Sequence, residues 1–193
     1  LQATSKPVFY AGKCFPLGAS VIPDGANFSV YSKNATQVEL LFFNSAEDNR
    51  PKQKIAFNPV TNRTGNYWHV FVPGIKSGQI YGYRVTGLYQ PEKGLRFDAD
   101  KVLIDPYGMS VVVPKNYNRE TSKQRGDNSA AAMKSVVIYP DSYDWEGDVP
   151  LKNSSSGTII YEMHVGGFTR HPSSGITEDL RGTYAGLIKK IPY

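Results

Sequence analysis

The sequence predicts a mostly β protein: an antiparallel sandwich of the immunoglobulin type, followed by the first β-α step of an α/β domain. Three observations carry this. The first is punctuation, because 18 glycines, 13 prolines and 13 tyrosines among 193 residues cut the chain into short aromatic stretches, which favours strands over helices. The second is rhythm: up to Tyr107, turn signals recur about every ten residues, the spacing of a sandwich of short strands. The third is a change of pattern after the polar break "KNSSSG", where alternation gives way to the nearly continuous apolar run "TIIYEMHV". A strand covered on both faces requires such a run.

Taken in order, "GANFSVYSKNATQVELLFFN" holds the first clear pair of strands. Phe28 and Val30 alternate with Asn27, Ser29 and Tyr31, "KNAT" interrupts, and Val38, Leu40 and Phe42 form a second alternating set. Such a pair forms either a hairpin or adjacent edges of a sandwich. A turn at 61–66, a strand at 67–72, a stop at Pro73 and Gly74, a turn at 76–78 and a strand at 80–85 follow. Residues 1–108 are therefore assigned to the sandwich. Residues 109–156 read as a partly irregular linker wrapping it, with "NSAAAMKS" as a small helical candidate and "SVVIYP" as a late strand.

From residue 157 the run "TIIYEMHV", a loop of ~16 residues and an amphipathic helix make one β-α step. Tyr184, Leu187, Ile188 and Ile191 fall at the i, i+3, i+4, i+7 spacing of one helical face, with Lys189 and Lys190 turned toward water. That stripe needs something to pack on, so residues 157–193 are expected to open a domain that continues in a longer polypeptide.

The formal charge is +5, but Lys and Arg are spread along the chain and do not form the run expected of a nucleic-acid binder. The densest cluster, "RETSKQR" at 119–125, reads as a solvated loop in preference to a phosphate-binding patch. No apolar run approaches the ~20 residues that cross a bilayer, and "LQATSKPVFYAGK" lacks the charged and apolar regions of a signal peptide. The single cysteine, Cys14, excludes an internal disulfide and favours a reducing, cytoplasmic setting. Partners are thus expected to be neither nucleic acid nor membrane.

Several blocks, taken together, identify a family. "LGASVIPDGANFSVYSKNATQVELLFF", "YGYRVTGLYQPEKGLRFDADKVLIDPYG", "YDWEGDVPL", "IIYEMHVGGFTRHPSSG" and "RGTYAGLIKKIPY" resemble, in order, the amino-terminal part of isoamylase-type glycogen debranching enzymes from about Tyr10 to Tyr193. The resemblance implies a family-48 carbohydrate-binding module followed by a truncated (β/α)8 barrel of the α-amylase superfamily, with "IIYEMHV" as its first strand and the terminal stripe as its first helix. It also implies retaining hydrolysis of α-1,6 branch points in glycogen or amylopectin-type glucans. That chemistry uses an aspartate nucleophile, a glutamate acid/base and a second aspartate on later barrel strands, with the two reacting carboxyl groups about 5 Å apart. No catalytic residue is then expected in this chain, and no cofactor. The expected partners are α-glucans, including malto-oligosaccharides, and the rest of the barrel. A glucan branching enzyme and a non-catalytic glucan-binding protein are the alternatives.

Individual residues were weighed on the same terms. Asp144, Glu146 and Asp148, and likewise Asp98, Asp100 and Asp105, read as turn carboxylates that cap backbone N–H groups. Glu162 and His164, two apart on the expected strand, share a face; they reach either the active-site end of a barrel or one another. His69 and His171 offer no matching ligand spacing, so no metal site is expected. Glucan binding needs flat aromatic faces. Trp68, with Val70 and Val72, and Tyr81, with Tyr83 and Val85, look more like core, although Trp68 is retained as a candidate. Tyr89 follows Gly87 in "VTGLYQP", read as an exposed turn, and falls where glycogen-binding relatives, such as the β subunit of the AMP-activated kinase, carry a sugar-stacking tryptophan. Their second tryptophan has no counterpart in "FFNSAED", and Gly166 stands where many debranching enzymes have a basic residue.

Overall fold

The computed structural model describes residues 8–192; the leader reading of residues 1–7 and the terminal Tyr193 lie outside them. The strands are β1 (Gly18–Ile22), β2 (Gly25–Tyr31), β3 (Ala35–Phe43), β4 (Gln53–Ala56), β5 (Arg63–Thr64), β6 (Tyr67–Pro73), β7 (Ile80–Gln90), β8 (Leu95–Leu103), β9 (Ser110–Val112) and β10 (Lys134–Val136). Three short helices are α1 (Arg119–Lys123), α2 (Val165–Phe168) and α3 (Tyr184–Ile188). One sheet has the order β1-β2-β6-β5; the other runs β4-β3-β7-β10-β9, with β8 also paired to β7. Every pairing is antiparallel.

The alternation read from the sequence becomes the contact between these sheets. Phe28 and Val30 of β2 and Trp68, Val70 and Val72 of β6 share one buried cluster with Val38, Leu40 and Phe42 of β3 and Tyr81 and Tyr83 of β7. Phe28 meets Phe42 and Tyr81 edge to face, at centroid separations of 5.6 and 5.1 Å. Such pairs contribute ~0.5–1.5 kcal/mol each beyond their buried area. Of the two arrangements left open for the "KNAT" pair, β2 and β3 lie in opposite sheets, so residues 32–34 cross from one sheet to the other. The Trp68 indole N–H donates to the Ser32 carbonyl at 3.1 Å and pins that crossing.

Two strands are buried on both faces, which alternation alone does not predict. On β2, Asn27 and Ser29 are covered by the amino-terminal segment. Asn27 accepts from the Lys13 N–H at 2.7 Å and donates to the Lys13 carbonyl at 2.9 Å, and the Ser29 hydroxyl donates to the Cys14 carbonyl at 2.7 Å. His69 of β6 donates through Nδ1 to the Ala11 carbonyl at 2.7 Å, which leaves Nε2 to accept from the Thr64 hydroxyl at 2.9 Å. Gly12 permits the close approach: its φ is +73°, and a Cβ there would stand 2.6 Å from Asn27 Oδ1. On β3, Leu41 and Phe43 point outward into a second cluster with Val102 and Ala132.

Residues 109–136, expected as linker, supply β9 and β10 to the second sheet. The helical candidate there is not a helix: the N–H groups of Ala131 and Ala132 both bond to the Asn128 carbonyl at 2.9 Å before the chain enters β10. The helix instead falls at α1, inside the expected loop, where Asn118 caps the Glu120 N–H at 2.8 Å.

The chain divides into two compact units, residues 1–144 and 145–193. In the second, the expected strand 158–165 is not formed. Residues 158–164 join no ladder, and Ile159, Ile160 and Tyr161 are 95%, 87% and 73% exposed. A strand exists only by bonding its N–H and C=O groups to a neighbour, and the described residues 145–192 hold no other strand to supply one. The terminal stripe forms a helix, α3, only from Tyr184 to Ile188, capped by Thr183, whose hydroxyl accepts from the Gly186 N–H at 3.1 Å; Ile191 lies beyond its end. Tyr184, Ile188 and Ile191 remain exposed.

Candidate functional site

Residues 1–144 hold a groove of about 730 Å³. Its walls come from the end of β2 and the crossing at 31–34, from β7 and β8, and from residues 122–125 at the end of α1 and just beyond it. The β7–β8 hairpin shapes it. Pro91, Glu92 and Lys93 form a single helical turn closed by Gly94 at φ +76°, so β7 runs on to Gln90. Tyr89 therefore lies within a strand, opposite Arg96 of β8, and not in the turn expected for it. Gly87 leaves room for the Phe97 ring, which a Cβ would meet at 2.6 Å.

Tyr89 is 46% exposed, and the Arg125 guanidinium lies 4.3 Å from its ring centroid. Arg125 stands 3.9 Å from Asp98. Asp98 accepts from the N–H groups of Gly126 at 2.8 Å and Asp100 at 3.1 Å. The Gly126 N–H foremost holds the Asp98 carboxyl below its ordinary range. Lys101, only 7% exposed, lines the groove and donates to the Thr121 carbonyl, tying the last turn of α1 to β8. Tyr83 lines the inner wall, and its hydroxyl is buried without a hydrogen-bond partner among the described residues. Beside it, the Tyr81 hydroxyl donates to Asp105 at 2.8 Å, and Asp105 also accepts from the Tyr107 N–H at 2.8 Å, as its turn reading requires. Burial pushes the Asp105 carboxyl up and drives both tyrosine hydroxyls far up.

The other candidate residues lie elsewhere. Trp68 is a correction: at 0% exposure it offers no face to a sugar, because position 68 shares the inner face of β6 with Val70 and Val72. Arg63 covers its ring at 4.7 Å. Glu162 and His164 belong to the second unit and are exposed. No hydrogen bond joins them among the described residues. His164 instead caps α2, its Nδ1 accepting from the Gly167 N–H at 2.9 Å. Asp144, Glu146 and Asp148 sit in an exposed turn in which Glu146 has φ 52°. Among the described residues no group of three His, Cys, Asp or Glu could hold a metal, and no helix is long and apolar enough to cross a membrane. Sequence reasoning missed Lys33, Arg96, Lys101 and Tyr83 as groove residues. Nothing local marks them, since they come from separate stretches that only the fold brings together.

A two-sheet antiparallel sandwich with an aromatic at the rim of a side groove is the architecture of a carbohydrate-binding module. Residues 16–108 match the family model of carbohydrate-binding module 48, the isoamylase N-terminal domain. The likeness to whole proteins extends further along the chain. It is 38% identical over 186 residues to isoamylase 1, chloroplastic, of Oryza sativa subsp. japonica, which covers 95% of this chain and 22% of that protein. It is 41% identical over 185 residues to the glycogen debranching enzyme of Yersinia enterocolitica serotype O:8 / biotype 1B, covering 92% of this chain and 26% of that protein. Among solved structures, a product complex of the pneumococcal glycogen-degrading virulence factor SpuA superimposes with a TM-score of 0.67 at 19% identity, covering 95% of this chain and 18% of that one. A pullulanase from Paenibacillus barengoltzii complexed with maltotriose gives 0.61 at 24% identity, covering 92% and 23%. Identities this low speak for the fold alone. The chain thus spans about a quarter of the length of the curated relatives it matches.

Proposed function

We propose that this chain is the amino-terminal portion of a glycoside hydrolase that cleaves α-1,6 branch points of glycogen or amylopectin-type glucans with retention. The observation that carries this reading is the run of identity to isoamylases and glycogen debranching enzymes, which passes beyond the module and through nearly the whole chain. On this reading residues 157–193 begin the catalytic barrel. The apolar segment 158–163, exposed and without a ladder partner, has the composition of a strand meant to lie between others. The reacting carboxyl groups belong to later strands. Asp98 and Asp105 are occupied in capping turns, so the 193-residue chain is expected to hydrolyse nothing. The single cysteine suits a reducing compartment, which we take to be the cytoplasm.

The decisive assay is release of linear maltodextrins from glycogen by the complete polypeptide that carries this chain. A product containing new α-1,6 links, with no net release, would make it a branching enzyme instead. Within the module, Tyr89 is the candidate glucan contact, its ring half-exposed at the groove rim. Titration calorimetry with maltoheptaose should show binding that Tyr89→Ala weakens. Absence of heat with the unsubstituted chain would retire glucan binding by the module.

A further inference from the structure

The groove beside Tyr89 carries more positive charge than a neutral sugar can use. Lys33, Arg96, Lys101 and Arg125 line it against a single carboxylate, Asp98, whose oxygens are already bonded to two backbone N–H groups. The side chains of Lys33 and Arg96 have no hydrogen-bond or ion-pair partner among the described residues. Arg96 is the strand partner of Tyr89 across β7 and β8, and the Arg125 guanidinium lies over the Tyr89 ring. Lys101 spends one N–H on the Thr121 carbonyl and is almost wholly buried in the wall. The Tyr83 side chain belongs to the same wall, and its buried hydroxyl has no hydrogen-bond partner among the described residues. A buried hydroxyl without a partner costs free energy.

The apolar part of the lining includes Leu95, Phe97, Leu103 and Ile104, beside the polar Ser32, Asn34, Ser122, Lys123 and Gln124. Apolar and aromatic walls suit the carbon face of a pyranose ring. Clustered cations held near low-dielectric walls repel one another, and a dianionic group relieves that repulsion through charge-assisted hydrogen bonds, for which paired guanidinium groups are well shaped.

We propose that this groove binds a hexose phosphomonoester, either a free sugar phosphate or a phosphorylated glucosyl unit of an α-glucan. The inference rests on the reading of the groove as a carbohydrate site and adds the charged group that site selects. Arg96 and Lys33 are the specificity-determining residues, and Tyr89 serves sugar and sugar phosphate alike.

The test is calorimetric titration of the 193-residue chain with glucose 6-phosphate, inorganic phosphate, maltoheptaose and a phosphorylated maltodextrin, at low and high salt. Glucose 6-phosphate should bind, and weaken as salt screens the charges. The double variant Arg96→Gln/Lys33→Gln, both sites exposed and its fold checked by thermal melting, should lose about tenfold in sugar phosphate affinity. It should keep its affinity for maltoheptaose. A phosphorylated maltodextrin that outbinds glucose 6-phosphate makes the source a modified glucan, and the reverse order makes it a free metabolite. Either order supports the proposal. Maltoheptaose binding with no gain from the phosphoryl group overturns it while the glucan reading stands, and sugar phosphate binding without maltoheptaose binding does the opposite. Inorganic phosphate binding as tightly as glucose 6-phosphate overturns the hexose part.

Discussion

Lys134 shows how a charged side chain can sit wholly inside this fold. Its ammonium donates to the carbonyls of Ala46 at 2.6 Å and Ser129 at 2.8 Å and lies 4.9 Å from the centre of the Phe43 ring. Burial lowers its proton affinity, and the nearby Asp48 and Glu47 partly restore it. Lys134→Met keeps the stem but strands both carbonyls, so urea unfolding should show a loss of about 1–3 kcal/mol. Asp105 gives a pH signature instead. Burial raises its pKa, against the bonds it accepts from the Tyr107 N–H and the Tyr81 hydroxyl. The folded chain therefore keeps this proton where the unfolded chain has lost it. The stabilisation is complete below the unfolded value near ~3.9 and disappears as pH rises through the folded value. Asp98 and Asp127 are shifted downward and act in the opposite sense, so the comparison must be a difference. Across that interval the urea midpoint of the unsubstituted protein should fall relative to that of Asp105→Asn; parallel curves would mean Asp105 ionises normally.

Among the elements, β7 does the most for the site. It pairs with β3 from Ile80 to Gly87 and with β10 at Ile80 and Tyr81, supplying Tyr81 and Tyr83 to the core, and it pairs with β8 from Tyr83 to Gln90, carrying Tyr89 to the groove rim. Register shifts between Tyr83 and Val85 and between Val85 and Tyr89 interrupt the pairing with β8; bulges re-aim side chains in this way. The segment 158–164 behaves oppositely, since it has strand composition and no strand. Amide hydrogen exchange on the 193-residue chain should find residues 159–163 unprotected beside the slow amides of β2, β3 and β6. The same amides should become protected in the longer polypeptide proposed above. Protection already present in the short chain would remove the argument for missing neighbouring strands.

At the scale of the whole molecule, the two units divide near residue 144, after β10 has joined the second sheet. The sandwich core lies entirely within residues 26–137, so residues 1–144 are expected to unfold in one cooperative transition at the midpoint of the intact chain. A clear drop in the thermal midpoint after removing residues 145–193 would show that the second unit supports the first. The net charge of +5 is likewise read differently at this scale. Spread along the sequence it looks featureless, yet the fold gathers Lys33, Arg96, Lys101 and Arg125 onto one groove.

The sequence by itself determined β2, β3, β6 and the first part of β7, and the inward faces of Phe28, Val30, Val38, Leu40 and Phe42, because side-chain period and turn chemistry act between near neighbours. It also carried the family, through blocks of residues in order. Only the tertiary structure decided that β2 and β3 part into opposite sheets, that a strap at residues 11–14 buries Asn27 and Ser29, and that Tyr89 sits under Arg125. Whether "TIIYEMHV" becomes a strand was equally beyond the sequence. Each of these outcomes depends on which distant groups arrive to bond with or cover a residue, and that is a property of the assembled fold.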